Sequence, residues 1–185
     1  MRALIVGDGP GGLSAALFLA KAGHDVVVFG QDQTAMNWAM LYNYLGIEAM
    51  TGTAFQQVSR KQVADQGAVL NDARITAIAS GDAGFEATLE DGSTHTADVI
   101  VLSEGKSWPL AKGLGCAERA DGAPGIAVDE QGLTSVSGVY AVGRMVRPAR
   151  SQAVISAGDG AKAALDILSR AAGKDVQDWD SPPKA

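Results

Sequence analysis

The feature that most constrains this chain is a run of glycines near its start. Residues 3–6, Ala3-Leu4-Ile5-Val6, are fully apolar and lead directly into Gly7-Asp8-Gly9-Pro10-Gly11-Gly12. Residues 13–22 then read as an Ala/Leu-rich helix closed by Gly23, and residues 25–29 as a Val-rich strand. Strand, turn, helix and strand make a βαβ unit, which implies a parallel sheet with a right-handed crossover. Each glycine of Gly7-x-Gly9-x-x-Gly12 has a use in such a turn. The first permits the tight reversal, the second lets a pyrophosphate approach the backbone, and the third lets helix and strand pack closely. The helix start adds free N–H groups and a partial positive charge. Because the flanking strand and helix accompany the spacing, a dinucleotide is the expected ligand.

The usual partner of this turn is an acid at the end of the second strand, accepting hydrogen bonds from the adenosine ribose. That position is Gly30 here, with Gln31 and Asp32 close by and Asp32 the better acceptor. No Arg or Lys follows the strand, so nothing marks a 2′-phosphate and NADP is the least expected dinucleotide.

Further along, residues 34–50 have a helix-like pattern rich in Trp38, Tyr42, Tyr44 and methionine, and residues 55–66 read as an amphipathic helix. A short strand is expected at residues 68–70. Residues 74–79, 85–89 and 93–102 are β-rich, with Glu90-Asp91-Gly92 as a hairpin turn, so a small antiparallel meander leads into another strand. Residues 103–124 read as loop, 126–128 and 138–142 as strands, and 152–171 as a long helix ending before Gly173. The expected organisation is one α/β domain over residues 1–173 and a mobile tail, 174–185, containing Pro182-Pro183.

Composition narrows the function. With 46% hydrophobic and 19% charged residues, the 185-residue chain has material for one buried core. Fifteen basic against 21 acidic residues give a net charge of -6, which disfavours nucleic acid and anionic lipid as partners. The longest apolar helical run is broken by Lys21 and too short for a bilayer. The first strand begins without a signal-peptide pattern, and the single cysteine, Cys116, fits a reducing compartment, so a cytoplasmic location is expected. One cysteine permits neither an internal disulfide nor a CxxC pair, and His24 and His95 have no metal-ligand spacing, so no metal is expected.

Several ordered motifs resemble the FAD domain of thioredoxin reductase-like flavoproteins. They are Gly7 to Ala16 at the start, Gly138-Val139-Tyr140-Ala141-Val142-Gly143, then Ser151-Gln152-Ala153-Val154 and Ala157-Gly158-Asp159-Gly160. Asn43-Tyr44-Leu45-Gly46 is similar to that family's Asn-Tyr-Pro-Gly segment, and Ser103-Glu104-Gly105 stands in place of its Ala-Thr-Gly. The resemblance implies a Rossmann-type FAD-binding domain, a parallel sheet with flanking helices and a small antiparallel meander. It implies that Gly7, Gly9, Pro10 and Gly12 hold the FAD pyrophosphate and that the main chain near Val69 and Leu70 meets the adenine. It further implies Asn43 near the isoalloxazine, Gly143 near the ribitol and pyrophosphate, and Gln152 and Ala153 at the flavin pyrimidine edge. A helix starting near Gln152 would direct its positive end at flavin atoms that gain charge on reduction.

Two departures shape the expected activity. Between Gly105 and Gly138 the family inserts an NADPH-binding domain carrying a redox CxxC, and this chain has only a short segment there. Arg144 stands where the family has an Asp that accepts a ribitol hydroxyl. The expectation is an oxidoreductase-like flavoprotein that passes electrons from an external donor, a protein or NAD(P)H, to an unidentified acceptor. It would not be a self-sufficient thioredoxin reductase, and the open flavin face would suit a docked donor or a homodimer. The alternative is a non-catalytic nucleotide-binding or regulatory module. NAD, another adenine nucleotide or a vacated site are the alternatives to FAD.

Other residues divide between chemistry and structure. Arg144, Arg147 and Arg150 would stabilise an anionic reduced flavin or receive an acidic partner, or else form a solvated loop. Trp38, Tyr42 and Tyr44 suit a flat ring, though packing is the commoner use of such aromatics. Cys116 reads as a small apolar residue, and His24 and His95 as structural.

Overall fold

The computed structural model describes residues 1–182. In chain order the elements are β1 (Arg2–Val6), α1 (Pro10–Lys21), β2 (Asp25–Phe29), a 3-10 turn (Ala35–Trp38), β3 (Met40–Leu41), β4 (Met50–Thr51), α2 (Gly52–Asp65) and β5 (Val69–Asn71). There follow β6 (Ile75–Gly81), β7 (Gly84–Leu89), β8 (Thr94–Ala97), β9 (Val99–Leu102), α3 (Pro109–Gly113), β10 (Val139–Ala141), 3-10 turns at Gly143–Met145 and Pro148–Arg150, and α4 (Ala153–Ala172).

Five strands form one parallel sheet in the order β10-β9-β1-β2-β5. Its central strands are β-branched and apolar because both faces are covered. Alternation sends Ala3 and Ile5 to a core with Leu13, Ala16 and Leu19 of α1 and Ala163, Ala164 and Ile167 of α4. Leu4, Val6, Ile100 and Leu102 face the other way, onto Ile75, Ile78, Phe85 and Leu89 of the antiparallel β6-β7-β8 sheet. Helices α1 and α4 meet backbone to backbone, since a Cβ on Gly160 would lie 2.0 Å from the Gly11 carbonyl oxygen. The fold is the Rossmann-type α/β architecture expected from the sequence. Strand order reverses direction at β1, between β2 and β9, and in such sheets ligands bind outside the carboxyl ends of the strands at that point.

Some expected elements differ. Residues 34–50 are not a helix. The Thr34 side chain caps a single 3-10 turn, Ala39 turns extended, and Met40 and Leu41 pair antiparallel with Thr51 and Met50. The Gly52 N–H donates to the Ala39 carbonyl at 2.8 Å and pins the reversal, and only Met36 and Leu41 of the segment are buried. The single β-run at 93–102 breaks at Asp98, whose carboxylate accepts the Arg2 N–H at 2.7 Å, so β8 and β9 belong to different sheets. Within the expected loop 103–124, Glu104 accepts from the Leu110 and Ala111 N–H groups at 2.9 and 3.0 Å and starts α3. Residues 126–128 form only an isolated bridge, Ile126 to Glu118. The Ile126 N–H is taken by the Met145 carbonyl, and the Asp129 side chain draws the chain into a turn through Gln131 and Leu133.

The segment expected to be a mobile tail is tied down over its described part. Val176 packs against the α1/α4 core, and Lys21 pairs with Asp178 at 2.9 Å and with Asp180. Pro183 and the two residues after it lie outside the described residues.

Candidate functional site

The carboxyl edge of the parallel sheet gathers most of the residues singled out from the sequence. Gly7, Gly9, Pro10 and Gly12 follow β1, Asp32 follows β2, Leu70 lies in β5, Gly105 follows β9, and Gly143 and Arg144 follow β10. Gln152 and Ala153 open α4.

The glycine turn separates into two kinds of glycine. Gly7 has φ of 94°, and a Cβ on it would lie 2.4 Å from the Ser103 carbonyl oxygen. A Cβ on Gly12 would lie 2.0 Å from the Gly7 carbonyl oxygen. Both are therefore required by the protein's own packing. Gly9 is different, because its Cβ would meet nothing nearer than Ser103 Oγ at 4.0 Å. Gly9 is also the N-cap of α1 and supplies no side-chain acceptor, so the helix start is not satisfied by a side chain of its cap. Open space over Gly9 at an uncapped helix start is where an anion fits.

At the end of β2 the sequence reading missed the residues that matter. The Asp8 side chain, only 4% exposed, lies over Gly30. Its Oδ2 accepts from Arg60 of α2 and from the Asp32 N–H at 3.0 Å. Arg60 also donates to the Gly30 carbonyl and to Asp72, both at 3.2 Å. Gln56, fully buried, donates from Nε2 to the Asp8 carbonyl. Asp32, with φ of 53°, is at this corner as expected, but it is its main-chain N–H that binds Asp8, and its Oδ1 is buried without a partner. A signal for the arrangement exists in the sequence: an acid inside the glycine turn paired with a glycine at the strand end.

At the other end, Asn43 Nδ2 donates to Gln152 Oε1 at 3.0 Å, joining positions far apart in sequence. Gln152 is the N-cap of α4 without a side-chain hydrogen bond into the helix. The Gly143 N–H, φ 72°, is taken by Asp159 Oδ2 at 3.2 Å, and Asp159 also pairs with Arg147. Arg144 and Arg150 have no ion pair among the described residues, so the three-arginine cluster is split. Trp38 is 93% and Tyr42 79% exposed, while Tyr44 packs on Phe55 with ring centroids 5.6 Å apart.

The remaining candidates are structural in their contacts. Cys116 is buried beside the Thr134 hydroxyl, and burial pushes its thiol up. His95 sits edge-on to Phe29 at 5.1 Å, and burial lowers His24. Among the described residues no cluster of His, Cys, Asp and Glu has metal-binding geometry, and no helix is long and apolar enough to cross a membrane. A cleft of about 470 Å³ lies at the opposite edge of the sheet, lined by Arg2, Asp25 and Asp98, away from the glycine turn.

A Rossmann-type nucleotide-binding domain is the class that this sheet and glycine turn define. Residues 1–111 match the family described as pyridine nucleotide-disulphide oxidoreductase, and the chain belongs to that family. It is 33% identical over 109 residues to the thioredoxin reductase tcpT of Claviceps purpurea (strain 20.1), a match covering 56% of this chain and 34% of that protein. The matched stretch thus spans about a third of that curated relative's length. Its fold is similar to a thioredoxin reductase structure from Gloeobacter violaceus, with TM-score 0.88 and 18% identity over 97% of this chain and 98% of that one. It is also similar to the atypical thioredoxin reductase TRi from Desulfovibrio vulgaris Hildenborough, with TM-score 0.82 and 21% identity over 91% and 97% of the two chains. The thioredoxin reductase-like resemblance read from the motifs is borne out.

Proposed function

We propose that this chain is a flavoprotein oxidoreductase domain that binds FAD without a covalent bond and receives electrons from an external donor. The observation that carries the reading is the contrast within the glycine turn. Gly7 and Gly12 leave no room for a side chain, whereas the space over Gly9 is open beside an uncapped helix start. The residues fit the dinucleotide in polarity too, since Asp32 Oδ1 and Gln56 Oε1 are buried acceptors with no donor from the protein.

In this reading Gly7, Gly9, Pro10 and Gly12 hold the pyrophosphate, the β5 main chain near Leu70 meets the adenine, and Gly105 and Gly143 line the middle. Asn43, Gln152 and Ala153 receive the flavin, with Asn43 fixing the Gln152 amide. Bound FAD supplies two-electron redox chemistry, and the protein supplies position and electrostatics. The α4 start and Arg144, which has no ion pair among the described residues, favour negative charge next to them. Residues 1–173 form the functional unit and 174–185 an appended tail.

Two features support dependence on an external donor. The segment between β9 and β10 carries only α3 as a helix, and the one cysteine is buried, so no thiol pair relays electrons. A protein or NAD(P)H is the proposed donor, and the exposed Trp38, Tyr42 and Leu45 supply a surface for the donor, the acceptor or a second copy. A cytoplasmic setting is consistent with the lone reduced thiol.

The buried Cys116 also favours a second reading, a nucleotide-binding module without redox chemistry. Anaerobic titration of the FAD-loaded protein with NADH, NADPH and dithionite separates the two. Bleaching of the flavin band by a nicotinamide donor supports the oxidoreductase. A band that dithionite alone bleaches points to a protein as the donor, and one that no reductant or partner bleaches supports the module.

A further inference from the structure

We infer that Asp8 reads the adenosine ribose in this chain, doing from the glycine turn what an acid at the end of β2 does in related sites. The inference rests on the nucleotide-binding reading above.

The two positions have exchanged side chains in space. A Cβ on Gly30 would lie 2.4 Å from both Cβ and Cγ of Asp8 and 2.6 Å from its Oδ1. The Asp8 carboxylate thus fills the volume that a strand-end acid would enter, and both positions cannot carry an acid at once. Asp8 is also held as a binding group is held. Oδ2 is fixed by Arg60 and by the Asp32 N–H, while Oδ1 accepts no hydrogen bond among the described residues.

Two further acceptors lack donors at this corner. Gln56 is completely buried, and its Nε2 anchors to the Asp8 carbonyl, yet its Oε1 is unpartnered, as is the buried Asp32 Oδ1. Buried acceptors without donors are costly, and a vicinal diol brings two O–H donors. Charge narrows the ligand further. Asp8, Asp32 and Asp72 outnumber the single guanidinium of Arg60 that joins Asp8 to Asp72. That balance accepts hydroxyls and repels a 2′-phosphate, so the ligand class is an adenosine diphosphate nucleotide with a free ribose 2′-hydroxyl.

The test is calorimetric titration of FAD, and separately of ADP-ribose, into cofactor-free preparations of the wild type, Asp8→Asn, and the exchange variant Asp8→Gly with Gly30→Glu. Loss of one charge-assisted hydrogen bond predicts affinity about 10- to 100-fold weaker for Asp8→Asn with both probes. The exchange variant moves the carboxylate back to the strand and is expected to recover wild-type affinity. Should Asp8→Asn fail to fold by circular dichroism, the exchange variant alone decides. Equal binding by wild type and a folded Asp8→Asn overturns this inference and leaves the nucleotide reading standing, as does an exchange variant that folds and binds weakly. A wild type that takes up neither probe overturns the nucleotide reading and this inference with it.

Discussion

The glycine turn and the acidic corner lie side by side at the ends of β1 and β2, yet they are built in opposite ways. The turn presents backbone from one continuous stretch, Gly7 to Gly12, in which packing excludes a side chain at Gly7 and Gly12 and leaves open space over Gly9. The corner is made of side chains brought from the turn, the loop after β2, helix α2 and the loop after β5: Asp8, Asp32, Gln56, Arg60 and Asp72. A backbone site depends on glycine spacing and tolerates no substitution. A side-chain site can keep its chemistry while the carboxylate moves from one strand end to the neighbouring turn.

The sharpest way to break this contrast is Gly9→Asp. The protein has room for the side chain, with nothing nearer a Cβ than Ser103 Oγ at 4.0 Å, so the fold is expected to survive. Cofactor content is expected to fall to zero, because bulk and charge enter the space the pyrophosphate must occupy. A folded Gly9→Asp with unchanged cofactor content would sink the phosphate assignment. Gly12→Ala probes the other kind of glycine. Its Cβ would strike the Gly7 carbonyl, so a loss of about 3 kcal/mol in urea unfolding is expected even without ligand. Unchanged stability would mean that the turn relaxes and that Gly12 is not required by packing.

A smaller effect comes from Glu104, beside Gly105 at the end of β9. Burial pushes its carboxyl up from the ordinary 4.5, against the pull of the two α3 N–H groups. The folded protein then binds this proton more tightly than the unfolded chain. The resulting stability is present below pH 4.5 and is lost as pH rises through the raised value. Glu104→Gln is expected to remove that loss, so its stability relative to wild type should improve as pH rises above 4.5. A difference between the two proteins that does not vary with pH would contradict it.

The same contrast explains what was legible in the sequence. The βαβ unit, the parallel sheet and the α4 start depend on local apolar runs and glycines, and each is found within a few residues of its expected place. The segment 34–50 is not a helix because its apolar residues are divided, with Met36, Leu41 and Tyr44 packed around Phe55 and others left outside. Trp38, Tyr42 and Leu45 point to solvent, and the reversal is set by the bond between Ala39 and Gly52. Asp8 is marked only by its place in the glycine turn opposite Gly30, while Gln56, Arg60 and Asp72 carry no local pattern, and their meeting depends on β2 lying between β1 and β5. The sequence sets Arg144 apart only by its family position, and the placement of Asp159 on α4 is what pairs Arg147 and leaves Arg144 without an ion pair among the described residues.

The central claim is that the glycine cradle holds FAD, and the visible absorption spectrum of the gently purified protein tests it most directly. The expected result is a yellow protein with flavin bands that releases FAD on heat denaturation. A colourless protein that also fails to take up added FAD would contradict the claim.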